Sequence, residues 1–390
     1  MYSSNRLSEQ LTITQSKLGN GAFGNVYVAK SDGKDIAIKC ESKTSTVLTL
    51  LREFKICRKI YMVKKYIKYI NYFSNTSDSD EKEKIKNILT NLEANPIIKV
   101  YNYLSENNML LIPKELSIDY LLRHKCVPET YSYIECNDFN FLTMELCGDN
   151  FESLLEKYKF GEKAKYFIAH CLLHILSCIH RCGIIHRDIK LSNFVLDKKL
   201  TSDEPEYVST LYPMIIDMGL GKEYYKYEPD KVIPVPQTNS KSITGTLRYI
   251  SINIHEFKSP TIIDDLISLS YALIVIFTGR NLPWVGHKKD TDKFDISKHT
   301  HTNCFCGYHT NKKNNDTRHN NTIAEIKFHT PLDELVGTKY PFLIKWIKYL
   351  YSLKPKQLPS YNYLFKCLYE ESKSLGNLQM EIKKKNKQDD

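Results

Sequence analysis

Long hydrophobic runs are what this 390-residue chain most lacks. The longest, Leu266 to Phe277, carries two serines and falls short of the ~20 apolar residues that span a bilayer. No apolar segment near the amino terminus suggests a secretion signal. The 11 cysteines have no framework spacing. Several, such as Cys171 and Cys178, sit among apolar residues of helical pattern, which reads as reduced, buried thiols in a cytoplasmic or nuclear protein. Lys and Arg number 55 against 45 Asp and Glu, a net charge of +10. That excess is neither gathered into a dense basic helix nor interleaved with a base-stacking motif, so no nucleic acid partner is expected. Acidic or phosphorylated proteins account for it equally well.

What the chain does have is concentrated in Ile185-His186-Arg187-Asp188-Ile189-Lys190-Leu191-Ser192-Asn193. An Asp followed by Asn at this spacing places a proton acceptor beside a substrate hydroxyl and a neutral oxygen ligand beside magnesium, with Lys190 between them to neutralise a transferring phosphate. Upstream, Leu18-Gly19-Asn20-Gly21-Ala22-Phe23-Gly24-Asn25-Val26 has the spacing of a loop whose missing side chains let backbone amides approach a triphosphate. A lone match of this kind reads equally as a hairpin turn. The residues that follow decide between them: Val26 to Lys30 alternate as a strand, Ser31-Asp32-Gly33-Lys34 turns, and Ile36-Ala37-Ile38-Lys39 resumes. A glycine loop between two strands, rather than one opening a helix, is the protein-kinase arrangement. Lys39 then stands where an ammonium bridges the α- and β-phosphates, and Glu53, on a segment able to form a helix, is the carboxylate to hold it. Downstream, Met214-Ile215-Ile216-Asp217-Met218-Gly219-Leu220 is an apolar strand ending in a second magnesium ligand, Asp217. Met218 stands where Phe is usual, a replacement that an adaptable apolar side chain permits.

After the activation segment, where most kinases carry Ala-Pro-Glu, this chain has Thr244-Gly245-Thr246-Leu247-Arg248-Tyr249-Ile250-Ser251-Ile252-Asn253-Ile254-His255. The Ser-Ile-Asn resembles the casein kinase 1 superfamily, which includes the vaccinia-related kinases. Met144-Glu145-Leu146-Cys147-Gly148, Asp264 to Tyr271, Leu282-Pro283-Trp284, Thr330-Pro331-Leu332 and Pro359 to Leu364 are similar to that family too. Leu191-Ser192 departs from its usual Pro-Asp pair. The resemblance implies an α+β, bilobal eukaryotic-type kinase fold, with a small β-rich lobe and a larger, mainly helical one. It also implies a Ser/Thr protein kinase using ATP and Mg2+, without a requirement for activation-loop phosphorylation. ATP would lie under Leu18 to Gly24, its adenine on the backbone of Glu145 and Cys147 and packed by Val26, Ala37, Met144, Val195 and Ile216. Asn193 and Asp217 would hold magnesium, with Asp188, Lys190, Lys39 and Glu53 catalytic. Arg248 and Lys293 would favour acidic or phosphate-primed protein substrates, although Arg248 has the alternative of pairing with a structural acid. A catalytically inactive pseudokinase scaffold is the rival function.

The expected layout is an extension over 1–10, a kinase domain over 11–370 with lobes meeting at 147/148, and a charged tail over 371–390. Three expansions interrupt it, at about 61–94, 105–137 and 287–322. Strands are expected over 11–40, near Ile97 to Leu104 and over Phe139 to Glu145, with a helix around Glu53. Apolar residues from Phe167 to Ile179 recur at helical spacing and predict a helix over 162–182, closed by Gly183. In the third expansion, His299, His301, Cys304, Cys306 and His309 gather. Their spacing is not that of common structural zinc sites, so a polar loop is the first reading and zinc the second. Lys383 to Lys387 reads as a solvated tail before a nuclear signal. A monomer is expected, and no membrane partner.

Overall fold

Alternating side chains near the amino terminus build the first half of a sheet. The computed structural model describes residues 12–21, 24–106, 125–199, 212–228, 230–236, 242–287, 322–354, 357–376, 378 and 382–384. Strands β1 (Thr12–Gly21), β2 (Gly24–Ser31) and β3 (Lys34–Ser42) pair antiparallel, and β4 (Thr130–Glu135) and β5 (Phe139–Glu145) complete a five-stranded sheet of order β1-β2-β3-β5-β4. Asp32 and Gly33 turn between β2 and β3 at φ +49° and +76°, the pair of left-handed conformations a two-residue hairpin favours. This is the small β-rich lobe expected.

Among the described residues of the connection from β3 to β4 lie α1 (Leu50–Asn75), α2 (Ser79–Glu93) and α3 (Pro96–Leu104). The expected helix around Glu53 does not stop where the first expansion begins. Its buried seam, Leu50, Glu53, Ile56, Cys57, Ile60, Val63 and Tyr66, keeps helical spacing through the boundary, and its 26 residues extend about 39 Å.

The strand expected near Ile97 to Leu104 is a helix instead. Its β-branched and aromatic residues suggest a strand, but Asn95 accepts a hydrogen bond from the Ile97 N–H at 3.1 Å and Pro96 occupies the first turn. Together these cap and start a helix. Ile97, Val100 and Leu104 then lie on one buried face, a spacing that serves a helix.

The larger lobe is mainly helical, as expected. It contains α4 (Phe151–Lys157), β6 (Tyr158–Phe160), α5 (Glu162–Arg181), β7 (Ile184–Ile185), β8 (Phe194–Leu196), β9 (Pro213–Ile215), β10 (Lys222–Glu223), β11 (Tyr225–Glu228) and β12 (Lys231–Pro234). Then come α6 (Ile252–His255), α7 (Ile262–Thr278), α8 (Ile323–His329), α9 (Leu332–Val336), α10 (Pro341–Ser352), α11 (Tyr361–Ser372) and β13 (Ile382–Lys384). Helix α5 ends at Gly183 with φ +69°, where an added Cβ would sit 2.7 Å from Val100 Cγ1 of α3. One hydrophobic cluster runs from Ile56 on α1 through α3, α5 and α7 to Leu368 on α11, so α1 and the larger lobe share a core through α3.

The tail is not uniformly a solvated segment. Ile382, Lys383 and Lys384 pair antiparallel with Phe160, Lys159 and Tyr158, which covers the edge of β6 and places two residues of the basic run in a strand. Among the described residues, nine cysteines are free thiols, and no helix is long and apolar enough to cross a membrane.

Candidate active site

Register in the sheet places the first ligands. Val26 of β2 faces Lys39 of β3, and Ala37 faces Met144 of β5, so Val26, Ala37 and Met144 form one apolar floor with Leu50 and Leu142. The glycine segment is a hairpin, with Gly19, Asn20 and Gly21 opposite Val26, Asn25 and Gly24. At Gly24 an added Cβ would come within 2.2 Å of the Cys40 carbonyl oxygen, so β2 and β3 close up here only because the side chain is missing. Leu18 is exposed on β1, while Ala22 and Phe23 lie outside the described residues.

Lys39 donates to both oxygens of Glu53, at 2.7 and 2.9 Å, and reaches Asp217 Oδ1 at 3.3 Å. Burial alone would lower the lysine's proton affinity, but the two carboxylates outweigh it and hold the ammonium above the ordinary lysine range. Asp217 shows the converse: burial pushes it up, while Lys39 and His186 prevail and keep it below the usual carboxylate range. Both charges are therefore present together at neutral pH.

Glu41, two residues beyond Lys39 on β3, sets the angle of α1. The Thr49 N–H, Thr49 hydroxyl and Leu50 N–H donate to Glu41 Oε2 at 2.5, 2.9 and 3.3 Å. An anion there satisfies open N–H groups and opposes the helix dipole. One strand thus carries both Lys39 and the cap of the helix that presents its partner, Glu53. Sequence reasoning missed Glu41; the available signal was its separation of two from Lys39, which puts both on one face of a strand.

The loop bearing Asp188 is shaped from below. Asp265 on α7 accepts from the His186 N–H at 2.7 Å, the Arg187 N–H at 2.9 Å and His180 Nε2 at 3.0 Å. Arg187 takes φ +69° and donates through Nε to the Leu220 carbonyl at 2.6 Å, linking this loop to the one bearing Asp217. Pairing of Phe194 with Ile215 across β8 and β9, and an Ile216 N–H to Asn193 carbonyl bond of 2.9 Å, set Asn193 beside Asp217. Met218, in the position where Phe is usual, is fully buried, and its backbone supports the Glu53 carboxylate.

Asp188 is the centre of a small polar group. Lys190 Nζ stands 2.8 Å from Oδ2, the Thr246 hydroxyl donates to Oδ1 at 2.6 Å, and Asn193 Nδ2 donates to the Asp188 carbonyl at 2.9 Å. A carboxylate that accepts from Thr246 at this distance can accept from a substrate hydroxyl as well. Lower on the activation segment, Ser251 donates to Asp264 Oδ1 at 2.6 Å and Asn253 does so at 3.3 Å, which explains the Ser-Ile-Asn physically. Buried Lys327 of α8 donates to the Leu247 and Ile250 carbonyls at 2.6 and 2.7 Å, and so fixes the same segment. No local motif marked Lys327.

The remaining expected residues divide. Glu145 holds the start of the hinge through Lys125, 2.9 Å from both its oxygens. Cys147 follows it, its thiol pushed up to about 12 by burial, then by Glu145 and Asp197. Val195 is buried opposite Met214, and Ile216 is half-buried beside Asp217. Arg248 donates to Glu152 at 3.3 Å and to Asn281 at 2.9 Å, so it does pair with an acid within the fold. Lys293 and the group His299, His301, Cys304, Cys306 and His309 lie outside the described residues.

A family model described as protein kinase domain matches residues 94–369, more than half of the chain. The match begins after β1 to α1, where Lys39 and Glu53 are identified by geometry instead. Casein kinase I homolog 3 of Schizosaccharomyces pombe is 28% identical over 240 residues, 61% of this chain and 47% of that protein. The chain thus spans about half the length of that curated relative. Family match and two-lobed frame agree: the chain belongs to the protein kinase family, and it is similar to a casein kinase I homolog.

Proposed function

We propose that the chain is a Ser/Thr protein kinase that transfers the γ-phosphoryl group of ATP to protein hydroxyls, with a preference for acidic or phosphate-primed sites. The observation that carries this is Lys39 bound to Glu53 and within 3.3 Å of Asp217, while Asp188 stands ready beside Lys190. This is the arrangement of groups that phosphoryl transfer requires.

The donors available for a metal are the Asn193 amide oxygen and the Asp217 carboxylate, hard oxygen ligands that fit magnesium. Magnesium, when bound, neutralises charge on the phosphates. Lys39 orients the α- and β-phosphates, and Glu53 keeps it there. Asp188 takes the proton of the Ser or Thr hydroxyl as its oxygen attacks the γ-phosphorus. The bond from that phosphorus to the bridging oxygen breaks, and ADP leaves. Lys190 balances charge on the moving group. Substrate preference rests on Arg248 and on the net charge of +10; a substrate phosphate would compete with Glu152 for Arg248.

Transfer of labelled phosphate from ATP to casein in the presence of magnesium tests the proposal. Asp188→Asn should lower turnover by about 10²–10⁴-fold while nucleotide binding persists. Undiminished turnover in that variant would remove Asp188 from its role. A folded wild-type chain without turnover would favour a scaffold instead. A peptide array preferring upstream basic residues would sink the acidic-site preference alone.

A further inference from the structure

Behind α1, away from the phosphate site, two thiols and an imidazole meet. His174 and Cys178 are one turn apart on α5 and share a face, with Cys178 Sγ 3.3 Å from His174 Nε2. Cys126 arrives from the segment entering β4, and the ligand atoms of all three lie within 4.8 Å of one another. A tetrahedral zinc with ligands at 2.0–2.3 Å would hold them about 3.3–3.8 Å apart, so small side-chain rotations close the site.

The backbones are already fixed by other contacts. The Cys126 carbonyl accepts the Ile215 N–H at 2.8 Å, His174 is buried, and α5 runs through the main core. Such fixed positions are what lets a metal bind without first ordering its ligands.

We propose that Cys126, His174 and Cys178 form a zinc site that clamps the entry to β4 onto α5, and thereby one lobe onto the other. Sulfur and imidazole ligands select zinc over magnesium or calcium. Two thiolates would neutralise the ion, and Lys64 and Arg181 line the adjoining cavity. That cavity, of about 150 Å³, leaves room for a water at the fourth position. Cys182 lies one turn further along the same face of α5, its Sγ donating to the Cys178 carbonyl at 3.2 Å. None of its ligands belongs to the His/Cys group of the third expansion. It also lies outside the machinery that moves phosphate, so it stands or falls independently of the kinase reading.

The test uses untagged full-length chain carrying Cys304→Ser and Cys306→Ser, which silences the thiols of that other group. Metal analysis after dialysis against a weak chelator should find one zinc per chain. Adding Cys126→Ser and Cys178→Ser should reduce it more than tenfold. Zinc unchanged by the added pair, or absent before it, overturns the proposal. If the four-site variant does not fold, cobalt decides in the Cys304→Ser, Cys306→Ser protein. Cobalt exchanged for zinc should give an intense thiolate-to-metal absorption band with tetrahedral d–d transitions, and a spectrum lacking that band overturns the proposal too.

Discussion

Glu41 does for α1 what a capping hydroxyl does elsewhere, with a carboxylate and from a different element. Because the same strand carries Lys39, loss of the cap should be felt both in stability and at the phosphate site. Replacing Glu41 with Ala should cost about 2 kcal/mol and lower kcat/KM for ATP several-fold, with much of both restored by Gln, which still offers an accepting oxygen. A denaturant midpoint and ATP kinetics matching wild type would show that Thr49 and Leu50 find another partner. His170 makes a different prediction. Its ring lies against Phe365, with centroids 6.1 Å apart and planes at 14°, and burial pulls its pKa from 6.5 down to about 4. The folded state therefore excludes a proton that the unfolded chain accepts below about pH 6.5. Stability from this residue is complete above that value and is lost as pH falls toward 4, by about 2 kcal/mol between pH 7 and pH 5. Denaturation of His170→Phe at both pH values should show a smaller acid loss than wild type; equal losses would refute the assignment.

At the scale of elements, the helix bearing Glu53 is held at its start and along its first turns. Glu41 caps its start, Arg52 donates to the Gly219 carbonyl at 3.2 Å, and Lys59 pairs with Glu223 of β10. Further along, Asn102 of α3 donates to the Tyr66 hydroxyl at 3.3 Å, Arg181 of α5 donates to the Tyr101 hydroxyl at 3.0 Å, and Lys99 meets Tyr227 of β11. Helix α3 is therefore a brace between α1 and the large lobe. Tyr101→Leu keeps apolar bulk but removes a hydrogen bond and a cation–π contact, and should cost roughly 1–2 kcal/mol. Amide exchange should quicken over residues 61–75 and stay unchanged around Glu53; uniform exchange would deny the brace. Much of this architecture was legible in the sequence. Short-range patterns revealed β1 to β3, α5 and the order of Lys39, Glu53, Asp188, Asn193 and Asp217. What escaped was long-range or depended on weighing two local signals. Ile97 to Leu104 has strand-favouring residues, yet Asn95-Pro96 starts a helix. Lys327 acts on carbonyls at Leu247 and Ile250 that no spacing rule connects to it. The strand at Ile382 to Lys384 exists because β6 offers an edge, which the tail's own composition does not reveal.

For the molecule as a whole, the two lobes meet through a shared core and the α3 brace, which hold the groups around Asp188 and Asp217 in one frame. The proposed preference for acidic substrates would draw on two electrostatic effects with different ranges. Arg248 acts locally, and its guanidinium is already shared between Glu152 and Asn281. The net charge of +10 acts through the field of the entire chain, which draws acidic partners toward it and is screened over a Debye length of about 10 Å at 0.1 M salt. The two separate experimentally. Raising salt from about 50 to about 250 mM shortens that length roughly twofold, so KM for an acidic peptide should rise several-fold while KM for a neutral peptide of similar length stays flat. Arg248→Ala should raise KM for the acidic peptide at every salt concentration and leave the slope against salt unchanged, because one charge among many hardly alters the field. If the slope vanished with Arg248, recognition would be local; a KM for the acidic peptide indifferent to salt in the wild-type chain would exclude steering by net charge altogether.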